Sequence, residues 1–176
     1  MSISAWADAA FEPISDLLEQ LKRSGLDVEM VTGGAASTYD VAYRLPYLTD
    51  VQAGSYVFMD ATYARLVPEF EVALAVIATV ATSRPDRPVV LDVGSKRIST
   101  DWGLPVLAGF HARHYANSEE HNRFVVDGPR MPEVGERVAV VPGHSSSTVS
   151  LYQHIVGCRN SRFERILKVD GRDAIA

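Results

Sequence analysis

The residues best suited to chemistry stand together in Val140-Val141-Pro142-Gly143-His144-Ser145-Ser146-Ser147-Thr148-Val149-Ser150-Leu151-Tyr152. A β-branched run breaks at a Pro-Gly turn, and one imidazole follows at once with three serines and a threonine behind it. Loops held by a rigid scaffold are where binding and catalytic groups concentrate. Nucleophilic catalysis could be assembled from Ser145, His144 and Asp92, but no G-x-S-x-G elbow accompanies them. The simpler alternatives are an ordinary loop histidine and, for Ser146, the N-cap of a short turn through Ser150. A second polar stretch, Thr32-Gly33-Gly34-Ala35-Ala36-Ser37-Thr38-Tyr39, lies far upstream. A glycine pair is most often a tight turn, yet this one closes a strand pattern, where α/β folds place their binding loops.

Other candidates have plainer readings. His121, after Glu119-Glu120, fits a charged, solvated turn. Asp92, Lys96 and Asp101 read as a surface ion-pair cluster that contributes little stability. The single cysteine, Cys158, sits in a strand pattern and reads as a small buried hydrophobe.

The elements that must position these groups follow from periodicity. Ile14, Leu17, Leu18 and Leu21 recur at helical spacing, so a helix is expected from Ile3 to Lys22, with Pro13 starting or kinking its stronger part and Gly25 just past its end. Val28 to Thr32 alternates as a strand into Gly33-Gly34. Val51 to Phe58 is a second strand candidate. Beyond it, Phe70 to Thr82 and Pro88 to Val93 are β-branched, and Arg113–Ala116, Arg123–Val126, Arg137–Val141, Gln153–Cys158 and Phe163–Val169 are strand candidates separated by turn signals. The first sixty-odd residues therefore read as α/β and the rest as mostly antiparallel β, with the boundary between Tyr63 and Pro68. One helix and two strands are too few to cover a parallel sheet on both faces, so the first part reads as the end of a larger domain.

Composition narrows the function. With 176 residues, 47% of them apolar, the chain can bury a core. A net charge of −5 without a basic run argues against a nucleic-acid surface. One cysteine excludes an internal disulfide framework and fits a reducing compartment. The most apolar run, Val72 to Ala81, is too short to span a bilayer, and the N-terminus has no signal-peptide pattern. The sequence reads as a soluble, cytoplasmic protein.

Five stretches occur in one order: Thr32-Gly33-Gly34 with Ser37-Thr38-Tyr39; Val51 to Asp60; Leu91-Asp92-Val93-Gly94-Ser95-Lys96 with Ser99 and Asp101; Glu119-Glu120-His121; and Val141-Pro142-Gly143-His144 with Thr148-Val149 and Leu151. That order resembles the C-terminal half of the D-threonine aldolase and D-serine dehydratase family, which are alanine-racemase-like enzymes that use pyridoxal phosphate. The resemblance implies an α+β chain: residues 1–65 as the end of a (β/α)8 cofactor-binding barrel, incomplete here, and residues 66–176 as a mostly antiparallel, D-serine dehydratase-like β-domain. It implies a lyase of D-β-hydroxy amino acids, cleaving by aldol chemistry or by loss of the β-hydroxyl. The non-enzymatic alternative is a truncated β-domain serving as a binding or association module. The partners expected are a small D-amino acid and a second copy of the chain, with no nucleic acid and no membrane.

The same resemblance assigns residues. Gly33 and Gly34 would receive the cofactor phosphate on backbone N–H groups, since glycine admits an anion close to the main chain. Gln52, Gly54 and Tyr56 would lie in the last barrel strand and its exit, with Tyr56 near the phosphate. Asp92, Lys96 and Asp101 would shape the active-site side of the β-domain. His144 would be catalytic and would bind a divalent metal (zinc, manganese or magnesium). The family's metal pair is His-x-Cys or His-x-Asp, whereas this chain has His144-Ser145-Ser146, and a neutral serine hydroxyl is a poor ligand. The family's Schiff-base lysine lies near the start of the barrel, in a part this sequence does not contain. Its only lysines are Lys22, Lys96 and Lys168.

Overall fold

The structure, a computed structural model, describes residues 3–173. Helix α1 (Ile3–Arg23) carries Pro13 within it and ends in Lys22 and Arg23. Its half-buried stripe is Phe11, Ile14, Leu18 and Leu21, while Leu17, expected on that stripe, faces solvent. The helix closes with Leu26 N–H donating to Leu21 O (3.0 Å) and Gly25 N–H to Lys22 O (3.1 Å), the paired bonds of a Schellman cap. Helix α1 is tied to the glycine region by the Tyr47 hydroxyl, which donates to Phe11 O at 2.7 Å.

Strand β1 (Thr32–Gly33) is much shorter than the Val28–Thr32 expectation. Helix α2 (Tyr39–Ala42) follows, and β2 (Asp50–Val51) pairs with β1 in parallel. The expected strand through Phe58 is not formed: after β2 the chain opens at Gly54 and turns through a 3-10 segment at Ser55–Val57. With only β1 beside it, this segment lacks the second neighbour that would hold it extended. The turn continues into Met59, which has φ +53 and is fully buried, a strained conformation that costs about 1–2 kcal/mol. Helix α3 (Tyr63–Leu66) then leads into the β-region. Ala36, Met59, Tyr63 and Val67 form a small core with Tyr39, Ala53 and Phe70 packed against it, so the glycine turn and the 50–60 segment share one apolar floor.

Strands β3 (Val76–Arg84), β4 (Arg87–Leu91), β5 (Val106–Leu107), β6 (Ala112–Asn117), β7 (Asn122–Val126) and β8 (Arg137–Val141) build one antiparallel sheet in the order β5-β8-β3-β4-β7-β6. Its edge strands β5 and β6 lie against each other, so the sheet curls nearly into a barrel. Alternate residues point inward, as the period of two requires: Ala78 and Val80, Val89 and Leu91, Val138 and Val140 close a core around Phe124 with Leu107, Val93 and Ile98. The polar side chain of Asn122 is buried in this core, where it donates to Val93 O at 2.6 Å and meets His114 Nε2 at 2.9 Å. Helix α4 (Ser145–Val149) follows β8 directly.

Strands β9 (His154–Arg159) and β10 (Arg162–Lys168) form a separate two-stranded hairpin. Its turn places Asn160 at φ +49 and Ser161 at φ +61, both left-handed, the geometry that matches strand twist in tight hairpins. Among the described residues no second layer covers it, so Cys158, expected to be buried, is exposed. Among the described residues, no helix is long and apolar enough to cross a membrane.

Candidate functional site

The Pro-Gly break after β8 is positioned by backbone contacts that only glycine permits. A Cβ on Gly143 would collide with the carbonyl of Gly103, and Gly103 itself has φ +152 with Thr62 Oγ1 against it. The Thr62 hydroxyl lies 2.7 Å from Gly143 O and 3.2 Å from Trp102 O, so it bridges the two loops. Asp60, fully buried, accepts from Thr62 N–H (3.0 Å) and Tyr63 N–H (2.8 Å) through Oδ1, and from Ser145 N–H (2.9 Å) through Oδ2. One carboxylate therefore satisfies the first donors of both α3 and α4.

This arrangement corrects the reading of Ser146 as an N-cap. His144 occupies the cap position, with extended backbone at φ −141 and ψ 119, and no local side chain caps the helix. Asp60 does so from a distance, which leaves the imidazole free to face Asp101.

His144 Nδ1 lies 3.2 Å from Asp101 Oδ2 and 3.3 Å from Oδ1. Ser147, one turn along α4, donates to Asp101 Oδ1 at 2.8 Å and sits 3.1 Å from the same ring nitrogen. The Ser99 hydroxyl donates to Asp101 Oδ1 at 2.7 Å. Hydrogen bonds from the Ser99 hydroxyl, then from the Ser147 hydroxyl and the His144 ring nitrogen, hold the Asp101 carboxyl down at about 2 against partial burial. The Trp102 ring stands edge-on to His144 at 5.2 Å and to Tyr63 at 5.5 Å. The imidazole is thus fixed in plane by a carboxylate and in tilt by an indole, with its side chain 21% exposed.

The expected ion-pair cluster does not exist. Asp92 turns away to accept from Thr79 N–H at 2.6 Å. Lys96 pairs with Glu120 (2.7 Å) and Glu119 (3.0 Å), and Asp101 belongs to His144. Glu120 and Glu119 raise the Lys96 ammonium above its ordinary range, the opposite of what a nucleophilic lysine needs. Lys168 is likewise held by Asp170 at 2.8 Å. His121 lends its backbone carbonyl to the 118–121 turn.

At the other end, Gly34 has φ +78, and a Cβ there would come 2.9 Å from the Ala42 Cβ. Thr38 Oγ1 accepts from Ala35 N–H at 3.0 Å and closes the turn. Gly33 O accepts from Gln52 N–H at 3.0 Å, and Gln52 Nε2 donates to Thr32 Oγ1 at 2.9 Å, so the glycine turn and the 52–56 segment adjoin. Gly54 has nothing within 4 Å of where its Cβ would be, and Tyr56 is half exposed with its ring 6.1 Å from Phe70. Bare backbone beside exposed amide and phenol groups fits the phosphate end of a cofactor. The His144 end is linked to it by packing, through Trp102, Tyr63, Met59 and Ala36.

A divalent metal fits less well. A carboxylate on the far nitrogen of a histidine is common in metal sites, so the Asp101 contact alone decides nothing. The second ligand does: Ser146 offers a neutral hydroxyl, and among the described residues no three His, Cys, Asp or Glu side chains converge. Asp60, Trp102 and Ser147 were not singled out as site residues from the sequence. Asp60 left a trace there as an acidic residue ending an apolar run, and Ser147 as one of the hydroxyls behind His144, while Trp102 left none.

A family model described as "Putative serine dehydratase domain" matches residues 73–158. A 3-hydroxy-D-aspartate aldolase of Paracoccus denitrificans is 30% identical over 174 residues, covering 94% of this chain and 45% of that protein. An uncharacterized protein of Mycobacterium bovis is 34% identical over 114 residues, covering 58% of this chain and 85% of its own. The crystal structure of a D-threonine aldolase from Filomicrobium marinum superposes with a TM-score of 0.90 at 29% identity, covering 98% of this chain and 49% of that one. The chain spans about half the length of that crystallised enzyme and of the Paracoccus aldolase.

Proposed function

The chain belongs to the D-threonine aldolase and D-serine dehydratase family, with its alanine-racemase-like fold, and from that premise we propose that it furnishes the C-terminal half of a pyridoxal-phosphate-dependent lyase site for D-β-hydroxy amino acids. Residues 1–65 are the barrel end and 66–176 the β-domain. Gly33, Gly34 and Gly54 hold the phosphate end, with Gln52 and Tyr56 bordering it. When bound, the cofactor withdraws electrons from the substrate α-carbon, so that a bond at that carbon or a β-leaving group becomes labile.

The observation that supports this reading most is the His144–Asp101 contact at 3.2 Å. A carboxylate on Nδ1 keeps the proton there and leaves a lone pair on Nε2. That atom can take the proton of a β-hydroxyl during aldol cleavage, or return one to a departing hydroxyl during dehydration. Trp102 gives the site an apolar wall, its ring edge-on to the imidazole at 5.2 Å. A small D-amino acid is the substrate, a second copy the partner, and the cytoplasm the location.

The test is product analysis with added pyridoxal phosphate. Glycine plus acetaldehyde from D-threonine identifies an aldolase, and pyruvate plus ammonia from D-serine a dehydratase. Borohydride reduction followed by peptide mapping then locates any lysine that carries the cofactor. The second reading is an association module without turnover, and the ion-paired Lys96 and Lys168 speak for it. Absence of every product, in this chain and in one extended to the full length of its relatives, would leave that reading standing.

A further inference from the structure

We infer that Asp101 and Ser146 together set His144 as a proton-holding base rather than as a ligand to a divalent ion. The inference rests on the lyase reading for its chemistry but not for its geometry. Histidine, serine and aspartate are brought together by three elements: the turn after β8, the first turn of α4 and the loop after Ile98.

The carboxylate contributes first. Both Asp101 oxygens lie within 3.3 Å of Nδ1, so the neutral ring keeps its hydrogen on that nitrogen and presents Nε2 as acceptor. When Nε2 takes a proton the ring becomes a cation, and an anion already in place stabilises it. Asp101 can serve so because the Ser99 and Ser147 hydroxyls both donate to its Oδ1 and leave Oδ2 to the ring.

Position 146 contributes second. By the family resemblance a metal held by His144 would take its charged partner two residues on, at Ser146 in the first turn of α4. Serine supplies no charge there, and a serine hydroxyl is a weak ligand to zinc or manganese at neutral pH. Rearrangement cannot bring Asp101 in as the substitute while it holds Nδ1. The backbone cannot shift to help either, since Gly143 is pressed on Gly103 and Ser145 N–H is held by Asp60.

Three measurements test this. Long-range 1H–15N NMR of wild type should show His144 as the Nδ1–H tautomer, and Asp101→Asn should shift the ring toward a mixed tautomer without unfolding the domain. Elemental analysis after dialysis against zinc should find less than about 0.1 equivalent in wild type. Ser146→Cys should retain more zinc than wild type, because a thiolate adds beside the imidazole the charged ligand that serine lacks. Cobalt should then give the cysteine variant a thiolate charge-transfer band absent from wild type. Near-stoichiometric zinc in wild type that is lost in His144→Ala would overturn the inference and leave the lyase reading intact. An Nε2–H tautomer in wild type would overturn it as well. Failure of all turnover with the expected tautomer would instead remove the lyase reading alone.

Discussion

The Asp60 carboxylate accepts the Ser145 amide at 2.9 Å across 85 residues of sequence, and the same side chain caps α3. The last turn before the β-region and the histidine turn are therefore held by one buried acid. Neither helix is long enough to be stable alone, so both depend on that contact.

Replacing Asp60 with Asn should destabilise the domain by about 1–3 kcal/mol, because one acceptor is lost and an N–H2 group is turned toward a buried N–H donor. Urea unfolding followed by tryptophan fluorescence measures it. An unchanged midpoint would mean that α3 and α4 find other caps.

Two glycines in the cofactor region should separate. Gly34→Ala forces a side chain into the left-handed region and 2.9 Å from Ala42, a loss of about 1–3 kcal/mol seen in the melting midpoint. Gly54→Ala meets nothing and should stay within about 0.5 kcal/mol of wild type. If Gly54 borders the phosphate, its alanine variant should still weaken cofactor affinity, read by titrating pyridoxal phosphate against absorbance.

Asp101 makes a pH prediction. Its folded-state carboxyl is depressed to about 2, below the unfolded value. The resulting stability is present in full above the ordinary aspartate range and is lost as pH falls through that range toward 2. Its side chain is half exposed, so solvent screening limits the contribution to about 1 kcal/mol at most. Urea midpoints from pH 6 down to pH 2, compared between wild type and Asp101→Asn, should converge at the acid end.

The hairpin predicts association. Register places Val156 opposite Ile166 and Cys158 opposite Phe163 on one face, and Val156, Phe163 and Ile166 are each at least 60% exposed. A two-stranded sheet with a bare apolar face is marginal in water. Exchanging Val156 and Ile166 for threonine should lower concentration-dependent light scattering while leaving the main unfolding transition in place. Equal scattering in both proteins would free this face of any part in self-association.

Much of the fold could be read from residue types. The period-two runs at Pro88–Val93 and Arg137–Val141 fall on β4 and β8 because their alternation matches a half-buried sheet. The Val51–Phe58 run looked equally strand-like, yet only Asp50–Val51 pairs, because β propensity needs neighbours and β1 supplies just two residues. Helix α4 is legible only as a short capped turn through Ser150, because serine and threonine are poor helix formers and its cap comes from Asp60 rather than from a local residue. Of the site, His144 was legible from the Pro-Gly break before it. Its union with Asp101 was not, since 43 residues separate them and only the fold closes that distance. Cys158 misled for the same reason: its strand pattern is sound, but whether a second layer exists is not written locally.

The abutment of Gly103 and Gly143 also bears on how such a site can change over generations. With the two loops welded at their backbones, insertions or loop remodelling around His144 would be selected against, and variation is channelled into side chains that protrude from the weld. Position 146 is one of these, exposed and free of the packed core. A single codon there alters the charge offered to the histidine while the scaffold stays as it is. Descendants of one ancestor could then differ in their dependence on a metal without differing visibly in shape.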